Sequence, residues 1–165
     1  MKTLDEMAET PKVTLDSLAE TPKEGVSSRP VEDKLTLDEC CDFLPDFKYG
    51  KVIKVYDGDT ITVGTIINNK KYKFSIRLNG IDTPELRTND KIEKKAGYLV
   101  KDKLSEKING RLVRVDIKKY DKYGRILADI YLNDENICEW LYKNKYCVKY
   151  NGTTKEKIDW KYLIE

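Results

Sequence analysis

The chain of 165 residues contains no histidine. Imidazole is therefore excluded as a general base, as the partner of a nucleophile and as a zinc ligand. Acid–base chemistry falls to carboxylates, lysine, tyrosine or water. Four cysteines are present, Cys40, Cys41, Cys138 and Cys147, but none is spaced C-x-x-C, and adjacent Cys40-Cys41 is a poor metal clamp. They read as reduced thiols of an intracellular protein. No apolar run approaches a membrane span, and the opening MKTLDEMAET lacks the apolar stretch of a secretory leader. The expected location is inside a cell, in the cytoplasm or nucleus, or in the host-cell cytoplasm for a viral protein. No membrane partner is expected.

What is present is an uneven distribution of charge. The overall net charge is +2, yet residues 1–47 hold five basic and twelve acidic residues, net −7, which leaves the remainder at net +9. An acidic arm precedes a basic domain, and a basic domain favours polyanions. The arm repeats itself with a spacing of 11 residues: TLDEMAETPK begins at Thr3, TLDSLAETPK at Thr14 and TLDEC at Thr36, while Lys12, Lys23 and Lys34 keep step. Each Thr-Leu-Asp can open a helical turn and each Thr-Pro stops it. Units this short cannot bury a core. Residues 1–46 are therefore expected to be a flexible arm, with residues 47–165 as the folded domain. The repeats suit either docking to an unidentified protein partner or shielding of the basic face.

From Lys48 the pattern becomes that of strands. Lys51–Tyr56 and Ile61–Ile67 are rich in β-branched residues, and Asn68-Asn69 is a plausible hairpin turn. Tyr72, Phe74, Ile76 and Leu78 then alternate with Lys73, Ser75, Arg77 and Asn79, which places Arg77 on the face opposite the apolar set. Over Lys91–Asn109 the period changes. Ile92, Ala96, Leu99, Val100, Leu104 and Ile108 fall on one helical stripe that Asn109-Gly110 ends. Val113–Lys118 and Ile126–Leu132 read as two more strands. Asp134 or Asn136 can cap a helix carrying Ile137, Trp140 and Leu141, and Thr153-x-x-Glu156 is a capping-box pattern for a last short helix. Three strands, a helix and two strands is the order of a five-stranded Greek-key barrel of the OB type. The fold class is thus α+β with a mainly β core and about three packed helices.

The chemistry-bearing residues cluster in Val55–Glu85 and in one later loop. Asp57-Gly58-Asp59-Thr60 and Asp82-Thr83-Pro84-Glu85 each end a strand-like run, and Arg77 stands five residues before the second. Taken singly, each reads as ordinary turn chemistry or a solvated side chain. The first is no EF-hand, because the third acidic ligand, the downstream glycine and the closing glutamate are missing. Taken together they suit phosphodiester chemistry. A hard cation wants carboxylate and carbonyl oxygens, which Asp59, Asp82 and the backbone near Thr83 can supply. Arg77 and Arg125, from different segments, offer bidentate donors to a phosphate. Glu85 is a further carboxylate beside the turn, suited to activating water.

The motifs VYDGDTITV, RLNGIDTPE and DKYGRILADIY, in this order and spacing, resemble those of the staphylococcal (thermo)nuclease family, over about Phe47 to Tyr150. The resemblance implies an OB barrel with packed helices and a calcium-dependent nuclease acting on DNA or RNA with little sequence specificity. It implies 3′-phosphate and 5′-hydroxyl products. It makes Asp59, Asp82 and the Thr83 carbonyl calcium ligands, Arg77 and Arg125 phosphate-binding arginines, and Glu85 the residue that orients or deprotonates water. Asp57 becomes a supporting acid, and Lys122 and Tyr123 line the nucleotide pocket. The pocket tyrosines near the barrel's end map onto Tyr146 and Tyr150 with the register off by about one residue. The Glu85–Ala96 connection is shorter than in the best-known members. A monomer is expected. The alternative is an OB module that binds nucleic acid without cutting it, as degenerate members of the family do.

Overall fold

The computed structural model describes Asp38, residues 40–152 and residues 157–165. One compact unit runs from Asp42 to Glu165. The first three copies of the 11-residue repeat lie outside the described residues, as does the capping-box pattern at 153–156.

Five long strands form the core. They are β1 (Tyr49–Val55), β2 (Thr60–Ile67), β3 (Lys70–Leu78), β5 (Leu112–Tyr120) and β6 (Ile126–Leu132). Hydrogen-bonded neighbours run β3-β2-β1-β5-β6, and a parallel pairing of β3 with β6 joins the two ends. The sheet therefore closes into a barrel without open edges between these strands. Register slips in β1 between Val52 and Lys54, and in β5 between Ile117 and Lys119, mark bulges that bend the strands enough to close. Asn68 and Asn69 both have positive φ, 48° and 61°, and bring Ile67 opposite Lys70 as a tight two-residue hairpin requires.

Three two-residue strands escape the period-two reading: β4 (Ile81–Asp82), β7 (Glu135–Asn136) and β8 (Val148–Lys149). Strand β4 pairs with β8, and β7 folds back on β6. Asn133 and Asp134 form the tight turn between β6 and β7, with φ of 49° and 66°. Asp134 is thus a turn residue. The cap of helix α2 (Ile137–Lys143) is Asn136, whose side chain accepts from the Cys138 and Glu139 amides at 2.8 and 3.2 Å.

Helix α1 (Lys91–Ile108) starts at Asp90, which accepts from the Ile92 and Glu93 amides. Its buried stripe is Ala96, Gly97, Val100, Leu104 and Ile108, while Ile92 remains 40% exposed near the helix start. Gly97 is buried for want of a side chain. A Cβ there would stand 2.9 Å from the Pro84 carbonyl oxygen and 3.0 Å from Leu86 Cδ2, so the bare backbone admits the Pro84–Leu86 segment onto the helix. Near the C-terminus the described residues hold only a 3₁₀ turn, Lys161–Leu163, beside a buried Trp160. The fold is the α+β OB barrel expected, with two α-helices rather than about three among the described residues.

The core is aliphatic. Val52, Ile61, Val63, Ile76, Leu104, Ile130 and Leu141 are fully buried. Buried Pro45 and half-buried Phe47 extend the unit ahead of β1, with Phe47 stacked on Phe74 at 5.1 Å between ring centres. No helix among the described residues is long and apolar enough to cross a membrane. Leu104 lies wholly inside the core cluster. Leu104→Ala should cost about 2–5 kcal/mol of unfolding free energy, read from denaturant unfolding with the slope unchanged.

Candidate functional site

Strand register brings the candidate residues together. Thr60 stands directly opposite Arg77 on β2 and β3, and Arg77 stands opposite Leu127 on β6. Arg125, two residues before Leu127, thereby comes beside the start of β2, from 65 positions away in the chain to Thr60. The Asp57–Thr60 turn is fixed by its own backbone: the Tyr56 amide donates to the Thr60 carbonyl at 2.9 Å and the Asp59 amide donates to Asp57 Oδ1 at 3.1 Å. The Leu78 amide then donates to the Asp59 carbonyl at 2.7 Å, tying turn to strand.

Arg77 does not project into solvent. Its side chain is only 10% exposed, lodged between two carboxylates. Nη2 lies 2.9 Å from Asp59 Oδ2 and 3.5 Å from Asp82 Oδ1, and Nη1 donates to the Ile81 carbonyl at 3.2 Å. The Tyr150 ring centre is 5.6 Å from the guanidinium carbon. Period two correctly sets Arg77 opposite Ile76 and Leu78, but the outer face is itself covered here by the ends of β2 and β4.

One guanidinium faces two buried carboxylates, and the balance is visible on Asp59. Burial pushes its pKa up, the Arg77 charge pulls it down, Asp57 raises it, the Thr60 hydroxyl lowers it and Asp82 raises it; the result is about 6. Burial thus outweighs the pull of the Arg77 charge on this carboxyl. Asp82 and Thr83 are buried as well, at 7% and 5% exposure.

Arg125 is held differently. Its Nε donates to Asp121 Oδ2 at 2.7 Å and its Nη1 to the Thr60 hydroxyl at 3.0 Å. The Thr60 hydroxyl in turn donates to Asp59 Oδ1 at 2.8 Å. Asp121 Oδ1 accepts from the Tyr123 and Arg125 amides at 2.8 and 2.9 Å, which shapes the loop around Gly124 at φ 75°. Burial works to raise the Asp121 pKa, but these amide bonds and the Arg125 side chain outweigh it and hold the carboxyl below its usual range. Asp121 and Thr60 are the members of this network that sequence reasoning missed. Asp121 opens the quoted DKYGRILADIY motif, and an aspartate followed by a glycine loop is a signal for amide capture.

A cleft of about 1150 Å³ collects the pieces. Asp57, Asp59, Arg77, Glu85 and Arg125 line it, as do Lys122, Tyr123 and Tyr150. Tyr123 is 73% exposed, with Lys122 Nζ 5.1 Å and the Arg125 guanidinium carbon 5.6 Å from its ring centre. Glu85 is exposed, and its amide donates to Glu93 Oε1 at 3.2 Å. Asp82 lines a second cavity of about 780 Å³, which shares Asn79, Gly80, Tyr150 and Asn151 with the first. Tyr146 packs on Trp140 at 5.7 Å between ring centres, so of the two tyrosines it is Tyr150 that reaches the cleft. The two buried cysteines, Cys138 and Cys147, are free thiols whose pKa burial pushes up to about 12, and the exposed pair Cys40 and Cys41 is unbridged.

A small closed barrel with arginines and carboxylates converging in one cleft defines a protein of the OB class. The particular family follows from comparison. Residues 75–163, more than half of the chain, match the family model described as staphylococcal nuclease homologue, and the chain belongs to that family. It is 34% identical to a thermonuclease of Staphylococcus hyicus, over 56% of this chain and 54% of that protein. It is 35% identical to an uncharacterized endonuclease of Escherichia coli, over 52% and 50% of the two chains. An uncharacterized protein of Methanocaldococcus jannaschii is 36% identical, over 53% and 50%. The chain spans about half the length of these curated relatives.

Gly58 closes the turn against its surroundings. A Cβ there would meet Thr83 Oγ1 at 2.7 Å and Val100 Cγ1 at 2.8 Å. Gly58→Ala should push the two acidic turns apart and lower the melting temperature by several degrees, about 1–3 kcal/mol by analogy with overpacking. Thermal unfolding checks this; an unchanged midpoint would mean that the turn yields without cost.

Proposed function

We propose that this protein is a calcium-dependent nuclease that hydrolyses phosphodiester bonds of DNA or RNA with little sequence preference. The observation that carries the reading is the single cleft shared by Arg77, Arg125 and Glu85, three side chains drawn from separate segments. The family membership and the endonuclease and thermonuclease names of its relatives support it.

In this reading Arg77 and Arg125 bind the phosphate and offset charge as it grows on the equatorial oxygens. Arg125 is pre-aimed by Asp121 and Thr60, so little reorganisation is needed when substrate arrives. Glu85, exposed at the cleft wall, orients or deprotonates the attacking water. Asp57 supports the turn through its bond to the Asp59 amide. Lys122, Tyr123 and Tyr150 contact the nucleotide, with the tyrosine rings as stacking surfaces.

The residues present fit a hard cation. Among the described residues no group of three His, Cys, Asp or Glu side chains forms a cage. A calcium ion would instead be held by the Asp59 and Asp82 carboxylates and the Thr83 carbonyl, an all-oxygen set, with water completing the shell. The raised pKa of Asp59 reflects first its burial, which Arg77 offsets only in part, so a cation beside it would favour the ionised form. When bound, the ion supplies further charge stabilisation at the phosphate. By this reading the products carry 3′-phosphate and 5′-hydroxyl ends.

Arg125→Ala and Glu85→Ala should each cut kcat by about 10²-fold or more on single-stranded DNA, with the melting temperature little changed. Arg77→Ala should lose activity and stability together, because it strands two buried carboxylates. Steady-state cleavage with calcium, magnesium or chelator, and identification of the end groups, tests the whole reading. Nucleic acid left intact under all three conditions would replace it with the binding-only module.

A separate check uses pH. In the metal-free protein, Asp59 titrates near 6 against 3.8 in its ordinary state, so the folded state holds its proton more tightly. The stability from this group is full below about pH 4 and falls as pH rises through 6. A cation must compete with that proton. Calcium should therefore raise the melting temperature more at pH 7.5 than at pH 5, as read by differential scanning fluorimetry (~7.5 and ~5 chosen to bracket the transition). An equal shift at both pH values would place the ion elsewhere.

A further inference from the structure

We propose that Tyr56, with the Arg87 and Lys54 cations over its ring, is a stacking subsite for a base of the nucleic-acid strand just outside the cleft on its Glu85 side. The proposal rests on the nuclease reading for its substrate class and extends the track beyond the residues assigned above.

Tyr56 immediately precedes Asp57, and Arg87 follows Glu85 by two positions. Asp57 and Glu85 both line the cleft, so Tyr56 and Arg87 are one and two residues along the chain from its lining without belonging to it. The ring is anchored at its root, because the Tyr56 amide donates to the Thr60 carbonyl at 2.9 Å in the turn that presents Asp59. The side chain is nevertheless open, with the residue 38% exposed. The Arg87 guanidinium carbon lies 5.7 Å and Lys54 Nζ 5.8 Å from the ring centre.

These distances matter. Elsewhere on the barrel Arg114 is stacked directly on Tyr131 at 3.8 Å. Arg87 and Lys54 stand farther off over the Tyr56 ring, loosely enough for these exposed side chains to turn to the phosphates on either side of a base that takes their place on it. Both cations are exposed, and neither is ion-paired among the described residues. Basic side chains interleaved with an aromatic face are the elements of single-strand recognition, in which every base can stack and phosphates give affinity.

The surface beyond continues the charge. Lys51 on β1 stands opposite Gly64 on β2, which stands opposite Lys73 on β3. Two lysines thus flank Gly64, over which the Ile53 side chain lies, 3.5 Å from where a Cβ would stand. A polyanionic strand, rather than an apolar peptide, is the occupant this charge suits.

The test compares lengths of substrate. A labelled single-stranded dodecanucleotide is bound in chelator, where no cleavage occurs, and read by fluorescence anisotropy, with an unlabelled dinucleotide as competitor. Tyr56→Ala should weaken dodecanucleotide binding about 5- to 100-fold while leaving the dinucleotide's competition constant unmoved. Tyr56→Trp should retain the affinity, and Tyr56→Leu, which keeps bulk without a stacking face, should lose it. Lys54→Ala with Arg87→Ala should lower the slope of log affinity against log salt. Equal loss on both lengths would mean that the ring only props the turn, and no loss on either would mean that the strand leaves by another route; each overturns the subsite. Wild-type protein that binds the dodecanucleotide but leaves it uncut in calcium would remove the nuclease reading alone, because the length dependence of Tyr56 would still decide the subsite.

Discussion

The Arg77 guanidinium is the charge that lets Asp59 and Asp82 be buried side by side. Its 2.9 Å contact to Asp59, its longer reach to Asp82 and its bond to the Ile81 carbonyl join the ends of β2, β3 and β4 at one point. Two carboxylates in a low-dielectric wall would otherwise repel each other and seek water. Compensation is incomplete, as the upward shift of Asp59 shows. The ionised Asp59 is therefore costly to hold in this buried place. Such sites are where proteins trade stability for chemistry.

Arg125 illustrates the opposite arrangement. Asp121 is devoted to it and to the loop amides, and its carboxyl is easier to ionise as a result. Thr60 links the two regimes, accepting from Arg125 and donating to Asp59. A hydroxyl suits this position because it can do both at once. The two arginines are thus linked through the Thr60 hydroxyl and the Asp59 carboxylate.

Much of this was legible in the sequence. Long alternating strands and the stripe of Val100, Leu104 and Ile108 declare themselves by period, and Asn68-Asn69 by its tolerance of positive φ. The motif residues Asp57, Asp59, Arg77, Glu85 and Arg125 do share a cleft. What stayed hidden has a common cause. Strands of two residues, such as β4 and β8, are too short to show a period, yet β4 carries Asp82. Asp134 and Asn136 are equivalent as caps until the turn at Asn133-Asp134 claims one of them. Gly97 looks like a weak point in a helix, and only the packed Pro84–Leu86 segment explains it. Ile92 fits the helical stripe but sits near the helix start, where little covers it. In each case the deciding fact is a tertiary contact.

The parallel pairing of Ile76–Leu78 with Ile126–Ala128 also has a consequence in time. A ribosome delivers Asp59, Arg77 and Asp82 between 43 and 66 residues before it delivers Arg125, to judge from the positions alone. Loop closure over that distance must precede any reward from the contact. Until then Asp59, Arg77 and Asp82 lack the second guanidinium. A cleft that takes its second arginine from the segment leading into β6 is complete only once the last long strand has been made.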